Sequence, residues 1–156
     1  MEIHVVARLF AVLVAIALCL PAQAASSLVT IDAVTVEPQS PAPGVPCRLS
    51  VRLKNNGTQT ATYFRFEVKI DGEEQASYKR YMYAATIEPG ATTTIGLFSF
   101  YSPTTAGATF PVVVTLTEAQ WAQVKWADQM NTTTPVGPVH GLPLSVKQTI
   151  NAAPSK

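Results

Sequence analysis

The chain has 156 residues, 47% of them hydrophobic and 13% charged, with 12 prolines, eight glycines and two cysteines. This balance fits one globular domain and excludes a disordered, collagen-like or disulfide-dense chain. Eleven basic against ten acidic residues give a net charge of +1, too small to neutralise a phosphate backbone or an anionic membrane surface, so no nucleic-acid partner is expected.

Arg8 precedes the apolar run 9–20, and Pro21-Ala22-Gln23-Ala24 then sets small residues at both positions a signal peptidase reads. A signal peptide over residues 1–24, cleaved after Ala24, is predicted. The run is shorter than the roughly 20 residues of a membrane-spanning helix, and nothing later is continuously apolar for that length. The mature chain is therefore expected to be periplasmic or secreted, without a membrane span. Leu18 before Cys19 is too bulky for a lipoprotein signal. Removal of the leader leaves Cys47 alone, so the domain, expected over 25–151, must be held by its core rather than by a disulfide.

The mature chain alternates polar and apolar residues in short segments divided by turn residues, the pattern of half-buried strands. Residues 28–36 read as the first strand. Four prolines in 38–46 remove backbone donors and make that segment a surface connection. In the second strand Cys47, Leu49, Val51 and Leu53 share one face, and Arg48, Ser50, Arg52 and Lys54 the other. A one-residue slip would bury three cations, so the register is fixed. After the turn Asn55-Asn56-Gly57-Thr58, the third strand turns Thr62, Phe64, Phe66, Val68 and Ile70 inward and ends at Asp71-Gly72, a pair that tolerates positive φ. Residues 77–83 form a polar-aromatic strand, and Pro89-Gly90 leads into a strand over 92–101. Beyond Pro103 and Gly107, Phe110, Val112, Val114 and Leu116 alternate with Val113, Thr115 and Thr117.

Residues 118–128 break the pattern. Their composition favours helix, and Thr117 with Gln120 has the spacing of a capping box. A short helix here and a long, bulged strand end with Trp121 pointing into the core both remain open. A threonine- and proline-containing loop follows, then a last strand over 142–150 and a disordered tail over 152–156. About seven strands with turn signals roughly every ten residues predict an all-β, immunoglobulin-like antiparallel two-sheet sandwich. Phe64, Phe66, Phe98, Phe100 and Phe110 are expected to supply most of its apolar core.

The stretch 36–58, with its proline-rich loop ending in Gly44 and its strand closing on Lys54-Asn55-Asn56-Gly57-Thr58, resembles bacterial immunoglobulin-like modules of the CARDB type, named for cell-adhesion-related domains. Phe66–Gly72 and Ile87-Glu88-Pro89-Gly90-Ala91 belong to the same resemblance, which covers about residues 28–117. It implies an immunoglobulin-like fold and modules that serve many partners and share no catalytic residues.

Nothing in the residues argues for catalysis or a cofactor. A site would need a nucleophile with a base, paired carboxylates or a metal cluster. His140 is a lone loop histidine with no second histidine at ligand spacing, and Glu73 with Glu74 reads as a solvated hairpin tip. A soft, copper-binding set of Cys47, Met82, Met130 and His140 is the weakest alternative, because the four are scattered and the alternation buries Cys47.

Two segments are candidates for binding a partner. The first is 76–83, with Tyr78, Arg80, Tyr81 and Tyr83, residue types enriched in recognition surfaces and placed where a strand runs near a sheet edge. The second is the pair Trp121 and Trp126, one expected in the core and one exposed. The chain is thus expected to be an exported, non-enzymatic interaction or adhesion-type module of a bacterial envelope. Its partner would be another envelope or secreted protein, or alternatively a glycan for a carbohydrate-binding or structural accessory.

Overall fold

A computed structural model describes residues 27–75, 82–127 and 130–154. Within them the alternating segments form two antiparallel sheets. The first has the order β1-β2-β6, from β1 (Val29–Glu37), β2 (Pro46–Asn55) and β6 (Thr92–Tyr101). The second is built on β3 (Thr60–Ile70), which pairs along one edge with β7 (Thr109–Ala127). Along its other edge β3 carries two short strands, β4 (Glu73–Glu74) and β5 (Met82–Tyr83). The far edge of β7 is shared: β9 (Leu144–Asn151) covers its first half and β8 (Met130–Pro138) its second. The immunoglobulin-like sandwich expected from the alternation is therefore the observed fold.

Its core follows the period of two. Cys47, Leu49, Val51 and Leu53 from β2 are buried against Phe64, Phe66 and Val68 from β3 and Phe110, Val112, Val114 and Leu116 from β7. Phe98 and Phe100 are only partly buried, and extend the core as a chain of edge-to-face rings. Phe98 stands 6.4 Å from Phe100, and Phe100 6.2 Å from Phe110 across the sheets. Cys47 is buried as a free thiol.

Bulges and turns tune this frame. Asp71 and Gly72 have φ of 50° and 84° in the two-residue loop joining Ile70 to Glu73, which is the left-handed conformation a tight hairpin needs. Asp32 is the extra residue of a bulge in β1, and its carboxylate takes the Arg52 guanidinium at 2.6 Å. In β3 an extra residue at Tyr63, with φ of 53°, is answered by one at Thr117 in β7; β3 keeps Thr62, Phe64, Phe66 and Val68 buried, whereas the buried set of β7 steps from Leu116 to Ala119.

Residues 118–127 are not a helix. β7 runs unbroken through them, held by β3 at Thr60–Thr62 and by β8 from Gln120 onward. The Thr117 hydroxyl, placed in sequence to cap a helix, instead donates to the Arg65 carbonyl at 3.2 Å. The segment after Met130, expected as a loop, is strand β8. Pairing with β8, and with β3 as far as Ala122, overrides the helical propensity of Ala, Gln and Glu. In the segment expected as a tail, Ala152 is buried, and Ala152 and Ala153 donate backbone bonds to Ala108 and Pro41.

Candidate functional site

The sandwich is most elaborated at the end where β2 finishes and β3 begins. Asn55 organises it. Its side chain, fully buried, donates to the carbonyls of Gln59 (2.7 Å) and Ile87 (2.9 Å) and accepts the Gly57 N–H (2.9 Å). Its backbone N–H donates to Ala91, and its carbonyl accepts from Gly90. One amide thus joins the β2–β3 turn to the Pro89-Gly90 turn, with both of its protons donated and its oxygen accepting one bond. Gly57 follows because the Trp121 indole lies over it, where a Cβ would stand 2.6 Å from Cη2.

From this end β7 and β8 continue as a two-stranded arm. The last residue of β7 that faces β3 is Ala122, opposite Thr60, whereas β7 pairs with β8 to the end, Ala127 opposite Met130. At the base of the arm Trp121 faces Gly137 and Ala122 faces Pro135, so Val136 is the extra residue of a bulge, and it is 55% exposed. A bulge re-aims its side chain.

Between the arm and the body lies a cleft of about 900 Å³. Thr58, Gln59 and Thr60 close one end, and Thr86, Glu88 and Pro89 form one wall. Ala122, Gln123 and Val124, with Thr133 and Val136 of β8, form the other. The Thr60 hydroxyl donates to the Glu88 carboxylate at 2.9 Å. The lining is otherwise hydroxyl, amide and small apolar groups. Such a surface can hold a chain by hydrogen bonding and contact, while a reaction would need paired acid and base groups.

The residues singled out in sequence are dispersed. Tyr78, Arg80 and Tyr81 lie outside the described residues, as does the side chain of Trp126, whose backbone faces Asn131 near the end of the arm. Tyr83 is on β5, at the free side of β3 where an edge strand was expected. Its ring meets Phe66 edge-on at 5.7 Å and its hydroxyl donates to the Leu97 carbonyl at 3.1 Å, tying one sheet to the other. Trp121 packs against the core.

The copper-type set is not brought together. Cys47 is in the core of the first sheet, facing Phe100, while His140 is an exposed loop residue after β8 in the second. Among the described residues no group of three or more histidines, cysteines and carboxylates could hold a metal ion. Burial pushes the Cys47 thiol above its ordinary range, and a hydrogen bond from the Ser102 backbone opposes this in part. No helix among the described residues is long and apolar enough to cross a membrane.

The cleft was not foreseen from sequence. The available signal was Asn55-Asn56-Gly57, read as turn chemistry, and Thr132–Pro138, whose β-branched residues are strand formers interrupted by prolines that an edge strand tolerates. Residues 27–118 match the model of the CARDB family. The matched segment runs from the start of β1 to Glu118 and stops short of the arm. No curated protein matches the chain.

Proposed function

The chain belongs to the CARDB family of immunoglobulin-like modules, and from that premise we propose that it is an exported, non-enzymatic interaction module of a bacterial envelope. Its binding surface is the end that carries the arm. The observation behind this reading is the cleft at the base of the arm, about 900 Å³ in size and bordered by an exposed, bulged Val136. A sandwich gains nothing in stability from holding two strands clear of their sheet partner and turning a valine to water, whereas a binding surface uses both.

Export places the module in the periplasm or outside the cell, with residues 1–24 as the leader. The partner is another envelope or secreted protein, met by the cleft and by Trp126 near the end of the arm. The tyrosine-bearing segment with Tyr78, Arg80 and Tyr81 is the second contact. The exported protein should begin at Ala25 by mass, and should capture a partner by cross-linking in envelope extract. Val136→Asp or Trp126→Ala should weaken capture without changing the melting temperature. Capture indifferent to both substitutions and to Tyr81→Ala, or no capture at all, would remove the reading.

A further inference from the structure

Among the described residues, the arm leaves one strand position in the second sheet empty. Ala61 is paired on both sides, with Trp121 of β7 on one and with Ile87 on the other, where the two N–H···O bonds are 2.9 and 2.8 Å. At that level β3 is the middle of three chains. At Thr60 it still faces Ala122, and its hydroxyl reaches Glu88. Before Thr60 the chain leaves the sheet, because the Asn55 side chain holds the Gln59 carbonyl at 2.7 Å and draws the turn back toward β2.

β7 does not turn with it. Gln123–Ala127 keep β8 along one edge and, among the described residues, have no strand along the other. Strands lie about 4.8 Å apart, so walls on either side of a missing strand stand roughly 10 Å apart. Alternate residues of β7 turn their N–H and C=O toward this gap, which makes it a template for one more strand. Five residues of extended chain, roughly 17 Å long, would fill it.

We propose that this vacant strand position takes an extended segment of a partner polypeptide, hydrogen-bonded to the backbone of β7 from Gln123 toward Ala127 and carrying a lysine or arginine close enough to its Thr60 end to reach Glu88. This rests on the reading of the chain as an interaction module and states how the partner is held. The charge assignment comes from the lining. Glu88 is exposed, it is the one ionisable side chain among the described residues bordering the cleft, and its carboxylate meets a hydroxyl rather than a cation. Threonines with Val124 and Val136 suit small or β-branched side chains on the incoming strand. Main-chain pairing supplies affinity in this mode, and the side-chain contacts supply selection.

The test uses a labelled peptide, Thr-Val-Thr-Lys-Thr-Val-Thr, titrated into the purified protein by fluorescence anisotropy. Two further peptides are N-methylated at alternate residues, one on the odd and one on the even positions. One methylated set should abolish binding and the other should leave it, since a strand pairs through one edge. Amides within 123–127 should exchange more slowly in the complex. Glu88→Gln should weaken the lysine peptide about two- to fivefold, the scale of an exposed ion pair, and erase its preference over the peptide with glutamate in the central position.

Equal tolerance of both methylated sets, protection elsewhere, or concentration-dependent dimerisation that protects 123–127 without peptide would overturn the proposal. The last outcome would assign the slot to a second copy of the chain. Partner capture from envelope extract that survives excess peptide would leave the module reading intact and remove the slot. Peptide binding with no capture would do the reverse.

Discussion

The indole of Trp121 lies against Gly57 so closely that a Cβ on the glycine would sit 2.6 Å from Cη2 of the ring and 3.2 Å from Oδ1 of Asn55. The glycine is required by contact, because the space above it is filled by a side chain from the other end of the sequence. Gly57→Ala must therefore push the ring outward or shift the turn, at a cost of about 1–3 kcal/mol typical of overpacking. Chemical denaturation followed by tryptophan fluorescence measures it. The cost should shrink in a Trp121→Leu background, and equal costs in both backgrounds would show that the two residues are not coupled.

Asn55 is the more demanding position. Replacing it with alanine strands the Gln59 carbonyl and the Gly57 N–H, and leaves the Ile87 carbonyl with the Ala61 N–H alone. Each buried group left without a partner costs about 1–3 kcal/mol, less where water enters. Asn55→Ala should lose about 3 kcal/mol or more in denaturant unfolding. Amides of the β2–β3 turn and the Pro89-Gly90 turn should lose protection together. A loss under about 1 kcal/mol would mean that the two turns are held independently.

These two residues mark where sequence reading stops. β2 and β3 were legible because Arg48, Arg52 and Lys54 permit one register, and Asp71-Gly72 because its two positive φ values suit few other pairs. The turn residues Asn55 and Gly57 were visible, but their partners Ile87 and Trp121 lie far along the chain, and no local pattern carries such a contact. The arm was hidden for a different reason. Ala119 and Ala122 are the inward residues of β7 there, and small helix-favouring residues hide alternation. Pro135 and Pro138 made β8 look like a loop, although neither harms a strand that pairs along one edge. Of the tyrosine segment only Met82 and Tyr83 are described, as a two-residue strand beside β3, and there Tyr83 ties the two sheets together.

That tie gives a separate prediction. The Tyr83 hydroxyl bonds to the Leu97 carbonyl at 3.1 Å, while its ring packs on Phe66. Tyr83→Phe keeps the ring and loses the bond, so stability should fall by roughly 0.5–1.5 kcal/mol with partner capture unchanged. Tyr83→Ala should lose more, because the ring contact goes as well. Thermal melting run beside the capture assay distinguishes a packing residue from a binding one: loss of capture in Tyr83→Phe at unaltered stability would give the hydroxyl to the partner.

The buried thiol makes stability depend on alkaline pH in a direction that can be worked out. Cys47 is fully buried between Leu49 and the β6 ring Phe100, and burial holds its folded-state pKa above the ordinary thiol value of about 8.5. Below that value the thiol is protonated in both states and its contribution is complete. As pH rises past it, the unfolded chain releases the proton first, which favours unfolding, and stability is lost until the folded thiol also titrates. One pH unit above the unfolded value the loss can approach about 1.4 kcal/mol. Denaturant midpoints at pH 7.5, 8.5 and 9.5 should therefore fall more steeply for the wild type than for Cys47→Ala, whose packing cost is the same at every pH. The same burial should keep a thiol reagent such as dithionitrobenzoate from reacting until denaturant is added. Parallel pH profiles for the two proteins, or fast labelling of the native chain, would place the sulfur within reach of water.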